Sequence, residues 1–286
     1  MKNCWLVWIF LFIFAVAMTI DEILSSYEPI TLDEMSGIRL MNRTDTKFVT
    51  NEEMLRRLLV MARDAYRVQE IDGLRIGNYY TMYFDTPDCN MFRVHHNGHA
   101  GRQKLRIRSY VDSGLNFLEV KTKNNHGRTK KKRMTMEGFN PLQPQHDIVF
   151  RRQDAQYEEI GDFLSQHLRY DPLVLSEHIE NRFRRITLVN KGKTERLTID
   201  LDLCFNNIRT QRPCDLSGIV IIELKRDGLV YSPILEMLRQ LRIHPHGFSK
   251  YCIGSALTNP DLRQNRFKIR LRDTEKIRRQ QPAPRQ

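Results

Sequence analysis

The sequence lacks the motifs that mark a zinc site, a nucleotide-binding P-loop or a covalent nucleophile. Its five cysteines are scattered over 286 residues, and none form the Cys-x-x-Cys pair that would give metal-ligand spacing. There is no GxxxxGK(S/T) loop and no Ser/His/Asp or Cys/His arrangement. These absences argue against a structural zinc domain, a P-loop enzyme and a serine or cysteine hydrolase. An odd, scattered set of cysteines is typical of reduced thiols in the cytosol.

Internal repeats and linkers rich in proline or glycine are also absent between residues 37 and 258, so a single domain is the simpler prediction. Apolar residues make up 41% of the chain, which is enough for a real hydrophobic core. The formal net charge of +12 indicates an anionic partner, and phosphate chains, nucleic acid and an anionic membrane all fit that charge. The plain alternative is a soluble protein that is merely basic.

One long apolar run stands at the start of the chain, from Cys4 to Ile20. Its length is about the minimum for a membrane span and is long for the apolar core of a signal peptide. A membrane anchor, a signal peptide and a chain that truly starts at Met18 are three interpretations of this run. The signal peptide is the weakest of them, because only Lys2 precedes the run.

Charged and apolar residues alternate strictly in five short segments, and the charges agree in kind. Alternation with a period of two places successive side chains on opposite faces of a strand. Each strand then carries one face of Leu, Ile and Val and one face of Arg, Lys, Glu and Asp. The segments are residues 104–108, 117–121, 183–187, 196–202 and 219–225. A closed or strongly curved sheet would gather the charged faces into one basic cavity, which suits a polyanion together with a divalent metal.

Helical patterns flank these strands. Asn51 is placed to cap a helix over 52–66, and amphipathic helices are predicted at 154–168 and 232–241, with a last short helix at 249–257. The predicted fold class is therefore α+β, a mainly antiparallel β-barrel or tunnel with flanking helices. Residues 1–20 form the apolar segment, residues 21–258 the domain, and residues 259–286 a basic tail that we expect to be largely disordered.

Seven motifs follow one another in an order and spacing that resemble a known family. They are YFDTPD at 83–88, RIRSY at 106–110, EVK at 119–121, Arg185, RLTID at 196–200, ELK at 223–225 and FSKY at 248–251. The set is similar to the catalytic domain of the vacuolar transporter chaperone (VTC) family, the polyphosphate polymerases. That family belongs to the triphosphate tunnel metalloenzymes. Any one motif is weak, but seven in order are specific.

The resemblance implies a set of site residues. Its tunnel cations, which bind the nucleotide triphosphate and the growing chain, correspond to Lys47, Arg106, Arg108, Lys121, Arg185, Arg196 and Lys250. A further family lysine falls in the strand that reads Lys130-Lys131-Lys132-Arg133, where we expect Lys132. Arg182 and Arg184 compete with Arg185, and strand phase alone does not settle the choice. The metal-binding glutamate corresponds to Glu223, and Glu119 or Asp200 would lie near it in strand register.

The resemblance also implies a reaction: ATP-dependent polyphosphate synthesis that releases ADP and uses Mn²⁺ or Mg²⁺. Phosphoryl transfer needs positioning and charge neutralisation more than a nucleophile, which agrees with the missing catalytic arrangements. Two alternatives stay open, namely an inorganic triphosphatase or polyphosphatase at the same site, and a non-enzymatic polyanion-binding module at a membrane. Without the family's sensing domain and C-terminal membrane helices, the chain is similar to the stand-alone bacterial form. We expect ATP and polyphosphate as ligands, no nucleic acid, and a cytoplasmic location with tethering to the inner membrane through residues 4–20.

Overall fold

A computed structural model describes residues 18–36, 43–125, 128–142, 155–228 and 230–280. The strands are β1 Glu28–Ile30, β2 Arg43–Asn51, β3 Tyr66–Gln69, β4 Ile76–Asp85, β5 Gln103–Tyr110, β6 Leu115–Lys123, β7 Thr129–Thr135, β8 Ser176–Asn190, β9 Glu195–Asn207, β10 Arg212–Leu216 and β11 Ile219–Asp227. The helices are α1 Ile20–Ser25, α2 Leu32–Ser36, α3 Glu52–Ala62, α4 Asn90–His96, α5 Ala155–His167, α6 Pro233–Gln240, α7 Lys250–Thr258 and α8 Lys268–Arg279. Short 3-10 turns occur at Val111–Ser113, Pro172–Val174 and Asn265–Phe267.

The strands form one mainly antiparallel sheet, which confirms the predicted fold class. Its main path runs β2-β11-β9-β8-β4-β5-β6-β7, with β10 beside β9 and the parallel pair β1–β3 beside β8. Within the described residues no backbone pairing joins β2 to β7, so the sheet is open and not a closed barrel. It is strongly curled all the same, because Lys121 on β6 and Glu223 on β11 act on each other electrostatically across four intervening strands.

The convex face of the sheet is largely apolar, and helices cover its apolar parts, as alternation leads one to expect. One part packs on α3 and α6, where Phe48, Ile222 and Leu224 of the sheet meet Leu58 and Leu238. Another part packs on α5, through residues of β4, β5 and β6. Asn51 caps α3 by accepting a hydrogen bond from the backbone of Met54 at 2.9 Å. The helices predicted around 52–66, 154–168, 232–241 and 249–257 are all present, with slightly different ends.

The concave face is divided into two halves. One half is apolar and is filled by α4, α7 and α8, through buried residues that include Phe205, Ile221, Tyr251 and Phe267. The other half carries the charged side chains. The first helical turn of α7 lies at the boundary between them.

The C-terminal segment corrects one prediction. Residues 259–286 were expected to be a disordered tail, but Lys268–Arg279 form helix α8. Leu271, Thr274 and Ile277 of this helix, together with Phe267 just before it, are buried or half-buried, recur at helical spacing and face the sheet. The helix forms because a narrow apolar stripe is hidden in an arginine-rich composition.

No helix in the described ranges is both long and apolar enough to cross a membrane. Most of the apolar run at residues 4–20 lies outside the described residues. The interpretations of that run therefore stay predictions.

Candidate active site

The charged half of the concave face brings together seven of the predicted cations. We call it the cationic face and define it by the cations Lys47, Lys104, Arg106, Arg108, Lys121, Lys131, Arg185, Arg196, Lys225 and Lys250 and the carboxylates Glu119, Asp200 and Glu223. The exposed Arg133 and Asp45 share its strand register at the two edges of the sheet, on β7 and β2. Those that share a strand are two or four positions apart, so their side chains point to the same face. The pairing register joins these positions from one strand to the next. Lys250 comes from the first turn of α7 and reaches the same surface. Their functional roles remain predictions.

Strand pairing places Arg185 on the concave face and leaves its competitors Arg182 and Arg184 on the other face. Arg185 lies opposite Asp200 of β9 and bonds to it, whereas Arg184 pairs with Asp202 on the convex side. The β8–β9 register shifts between Arg182 and Arg184 because β9 carries a bulge at Asp202, whose φ is 51°, while β8 itself alternates without a break from Arg182 to Arg185. Alternation separates Arg185 from Arg182 and Arg184 but does not say which face is concave, so the pairing partners decide.

Lys132 is not on the cationic face, and its expected place is a wrong prediction. In the β6–β7 register Lys132 lies opposite Val120, whose side chain is buried in the convex core under α5. Lys131 lies opposite Lys121 and points to the concave side, where its Nζ is 3.0 Å from Glu119 Oε1. Four consecutive cations give no phase of their own, so only the pairing partner decides.

Glu223 is shared between two lysines. Its Oε1 lies 2.6 Å from Lys47 Nζ on β2, and its Oε2 lies 3.0 Å from Lys225 Nζ, two positions along β11. Burial alone would raise the pKa of Glu223, but the charges of Lys225 and Lys47 outweigh it and hold that pKa well below its usual value. Glu223 is therefore ionised at neutral pH, and its side chain is 19% exposed to the cavity.

Asp200 is held in the same way by Arg185 and Lys250. Arg185 donates from Nε to Oδ1 at 2.6 Å and from Nη2 to Oδ2 at 2.9 Å, and Lys250 Nζ lies 2.6 Å from Oδ2. Burial opposes ionisation, but the charges of Arg185 and Lys250 hold the pKa of Asp200 below its usual range. The pairing ties the start of α7 to the sheet. Sequence analysis named Asp200 only as a carboxylate near the metal.

Glu119 is the most enclosed of the three carboxylates, with no exposed side-chain surface. Arg106 donates to its Oε2 from Nε at 2.7 Å, and Lys131 approaches its Oε1. Although burial would raise the pKa of Glu119, the charges of Arg106 and Arg108 lower it further than burial raises it. The bond from Arg106 fixes the direction of that guanidinium, so Glu119 acts as an orienting partner.

Arg108 differs from these cations because it is buried and forms no ion pair with any carboxylate that the structure describes. Only 9% of its surface is exposed, and its Nε has no hydrogen-bond partner within the described part of the chain. Burial first, and then the charges of Arg106 and Arg185, lower the pKa of Arg108 to about 10. Its guanidinium carbon lies 6.0 Å from the centre of the Phe183 ring. A buried cation next to other cations is costly unless an anion joins it, so Arg108 marks an anion site.

Lys104 and Lys121 extend this excess of charge. Lys104 Nζ donates to Ser249 Oγ, the N-cap of α7, at 2.9 Å. Burial and then the charges of Arg106 and Arg108 lower the pKa of Lys121 well below its usual value. Neither lysine forms an ion pair in the described residues. Lys104 and Lys225 were missed as site residues, although they alternate with Arg106 and Glu223 on their strands. Lys131 was also missed, and only its pairing partner reveals it.

A divalent metal would find one suitable protein ligand at this face. No three His, Cys, Asp or Glu side chains in the described ranges are grouped to hold a metal ion by themselves. Hydrated Mg²⁺ or Mn²⁺ needs only one or two carboxylates and takes its other ligands from phosphate and water. Glu223 fits that need, because it is exposed to the cavity and its partners are flexible lysines. Glu119 fits poorly, because it is enclosed and held by Arg106.

The site is thus built on a curled antiparallel sheet whose concave face carries many cations and few carboxylates. The sequence profile of the VTC domain matches residues 42–259. The chain therefore belongs to the VTC domain family, which supports phosphoryl chemistry on triphosphate or polyphosphate. A phosphotransferase and a hydrolase both fit that coarser statement.

Two solved structures give distant likenesses. The PH1819 protein from Pyrococcus horikoshii OT3 is 15% identical, with a TM-score of 0.42 over 77% of this chain and 99% of its own. The putative adenylyl cyclase HpAC1 from Hippeastrum, described as having a dominant triphosphatase activity, is 16% identical, with a TM-score of 0.43 over 76% of this chain and 97% of its own. No curated protein matches the chain.

Proposed function

We propose that the chain is an ATP-dependent polyphosphate polymerase that moves the γ-phosphate of ATP onto a growing polyphosphate chain. The observation that carries this proposal is Arg108, a buried guanidinium that forms no ion pair in the described part of the chain and has further cations around it. Adjacent phosphates repel one another, and fixed guanidinium and ammonium groups around them offset that repulsion. A linear phosphate chain satisfies many such cations at once.

The reaction asks little more of the protein than position and charge. A terminal phosphate oxygen of the acceptor chain forms a bond to the γ-phosphorus, and the bond to the β–γ bridging oxygen breaks. ADP leaves with that electron pair. Arg106, Arg108 and Lys121 would hold the phosphates in line and neutralise the charge on the transferred group. A divalent metal at Glu223, when bound, would add a further positive charge beside the phosphate oxygens.

The state of the carboxylates favours transfer over hydrolysis. A hydrolase has to activate water, and a carboxylate base is one common means of doing so. Here Glu119, Asp200 and Glu223 each already receive two cations. Their lowered pKa values make them poor proton acceptors. A polyphosphate end is already anionic, so it attacks without a base.

Product analysis after incubation with ATP and Mn²⁺ tests the proposal. We expect long polymer and stoichiometric ADP. Free phosphate as the main product would show that the chain is a triphosphatase or polyphosphatase and not a polymerase. If ATP stays intact while polyphosphate binds, the chain is a non-enzymatic binding module. Because ATP is abundant in the cytosol, the proposed reaction belongs on the cytosolic side of any membrane.

A further inference from the structure

A second group of cations lies next to the cationic face, beyond Lys104. It consists of Arg102 just before β5, Lys123 at the end of β6 and Arg270 on α8, and we call it the second cluster. The backbone joins two of its members, since Lys123 N donates to Arg102 O at 3.0 Å. Arg270 lies outside the stretch matched by the VTC domain, which ends at residue 259.

The ring of Phe267 lies between Arg270 and His95 of α4 and so connects Arg270 to that helix. Its guanidinium carbon lies 5.9 Å from the centre of the Phe267 ring, and the same ring lies 6.3 Å from that of His95. Its side chain also lies beside Gly247 in the loop before α7, where an added Cβ would be 3.5 Å from Nε. Phe267 is buried in the apolar half of the concave face, so the base of Arg270 is held in place.

The charges of the second cluster converge on His95. Burial first, and then the charges of Lys104, Arg102, Lys123 and Arg270, lower the pKa of His95 to about 2. The imidazole is thus neutral at physiological pH and adds no charge of its own. Its Nδ1 is buried and has no hydrogen-bond partner in the described ranges.

None of these cations has a counter-ion on the described part of the chain. Arg102 donates only to a backbone oxygen, that of His99, at 3.1 Å. Asp273, the acidic residue three positions after Arg270, approaches Arg272 and His246 instead. Lys104, which borders both regions, is bound to a serine hydroxyl and not to a carboxylate. Four neighbouring positive charges without a carboxylate form a second place where an anion lowers the free energy.

We propose that the second cluster is a subsite for the phosphates of a long polyphosphate chain that extend past Lys104 from the cationic face. A triphosphate bound on the cationic face does not occupy it. This inference rests on the proposed function in one respect, because the cationic face must itself bind a phosphoanhydride. It also gives α8 a role in recognising the product, although that helix lies outside the matched domain.

The test compares long-chain polyphosphate with inorganic tripolyphosphate, using the full chain and several salt concentrations. The double variant Lys123→Ala/Arg270→Ala should weaken binding of the long chain about 10-fold or more and reduce its salt slope by about two, since two phosphate contacts are lost. Tripolyphosphate affinity should change less than about twofold, because the removed charges are screened from it. The matched control, Lys132→Ala/Arg272→Ala, removes the same charge from the convex face and from α8.

Three outcomes separate this inference from the proposed function. A parallel loss for both ligands, or no loss beyond that of the control, overturns the subsite while phosphoanhydride binding itself stands. The subsite is also overturned if the wild-type chain binds long-chain polyphosphate and tripolyphosphate with the same affinity per phosphate. A wild-type chain that binds neither ligand removes the proposed function as well.

Discussion

The two halves of the concave face use the same strands for opposite purposes. On β11, Ile221 packs into the apolar half, and Glu223 and Lys225, two and four positions later, lie on the cationic face. On β2, Val49 and Lys47 divide in the same way. One half stabilises the fold through burial, whereas the other half holds like charges together and costs stability until an anion arrives.

The difference implies that stability and binding should separate cleanly by position. In the apolar half, removing a side chain should destabilise the protein without touching the site. On the cationic face, removing a charge should impair the site and relieve repulsion. The pKa values agree with this division, since those of Arg108 and Lys121 are lowered by burial and by neighbouring cations.

The largest effect is expected from Phe205→Ala in the apolar half. Phe205 is 3% exposed and packs so closely against Gly254 of α7 that a Cβ added to Gly254 would clash with the phenyl ring. Loss of the ring should lower the free energy of unfolding by about 3–5 kcal/mol. Chemical denaturation measures this change, with Tyr231→Ala, an exposed aromatic position, as control. The affinity of the folded fraction for tripolyphosphate should stay unchanged. A marked loss of affinity would contradict the separation of stability and binding between the two halves of the concave face.

Arg108→Ala should be next in size. Removal of this buried guanidinium, which has no ion pair within the described residues, should reduce turnover by about 100-fold or more, a scale typical of lost charge stabilisation in a dry site. The unfolding midpoint should not fall. Kinetics with ATP and Mn²⁺, alongside Lys132→Ala from the convex face, measure the effect. If the Arg108→Ala variant makes polyphosphate at a near-normal rate, the cationic face is not the active site.

Much of this division was readable in the sequence, because period-two alternation fixes which residues share a face. The alternation predicted that Arg106 and Arg108 share a face of β5 and that Glu223 and Lys225 share a face of β11, and the strand register agrees. It failed in the Lys130–Arg133 run, because four consecutive cations have no alternation. Open or closed sheet geometry also could not be predicted, since it depends on how the edges β2 and β7 meet. Helix α8 was missed because few apolar residues mark its buried side, namely Leu271 and Ile277 with Phe267 just before the helix, among many arginines.

Lys121→Met should raise the free energy of unfolding, which would show that a charge on the cationic face costs stability. The lowered pKa of Lys121 means that the unfolded state binds its proton more tightly than the folded state. Burying the charged Lys121 therefore lowers the free energy of unfolding. This loss of stability is fully present below the folded-state pKa and disappears as pH rises towards 10.5, the ordinary lysine value. At neutral pH the variant should gain about 1 kcal/mol or more, as buried charges replaced by apolar groups often do.

Thermal unfolding of Lys121→Met and wild type from neutral to alkaline pH measures that gain. The gap should narrow as pH rises, while polyphosphate affinity of the variant is reduced throughout. A gap that widens with pH, or a variant less stable than wild type at neutral pH, would contradict the lowered pKa.

Glu223→Gln should give the smallest change, and it tests which carboxylate serves a metal. Glutamine keeps the shape but loses the charge that a hard cation requires, so the Mn²⁺ midpoint for activity should rise several-fold. Binding of ATP without metal should change less, because Lys47 and Lys225 are released to contact phosphate. Glu180→Gln is the matched control, since Glu180 lies on the convex face and accepts from Tyr80 and Asn206. An unchanged Mn²⁺ midpoint would move the metal role to Glu119 or Asp200, and would require one of them to leave its arginine when substrate binds.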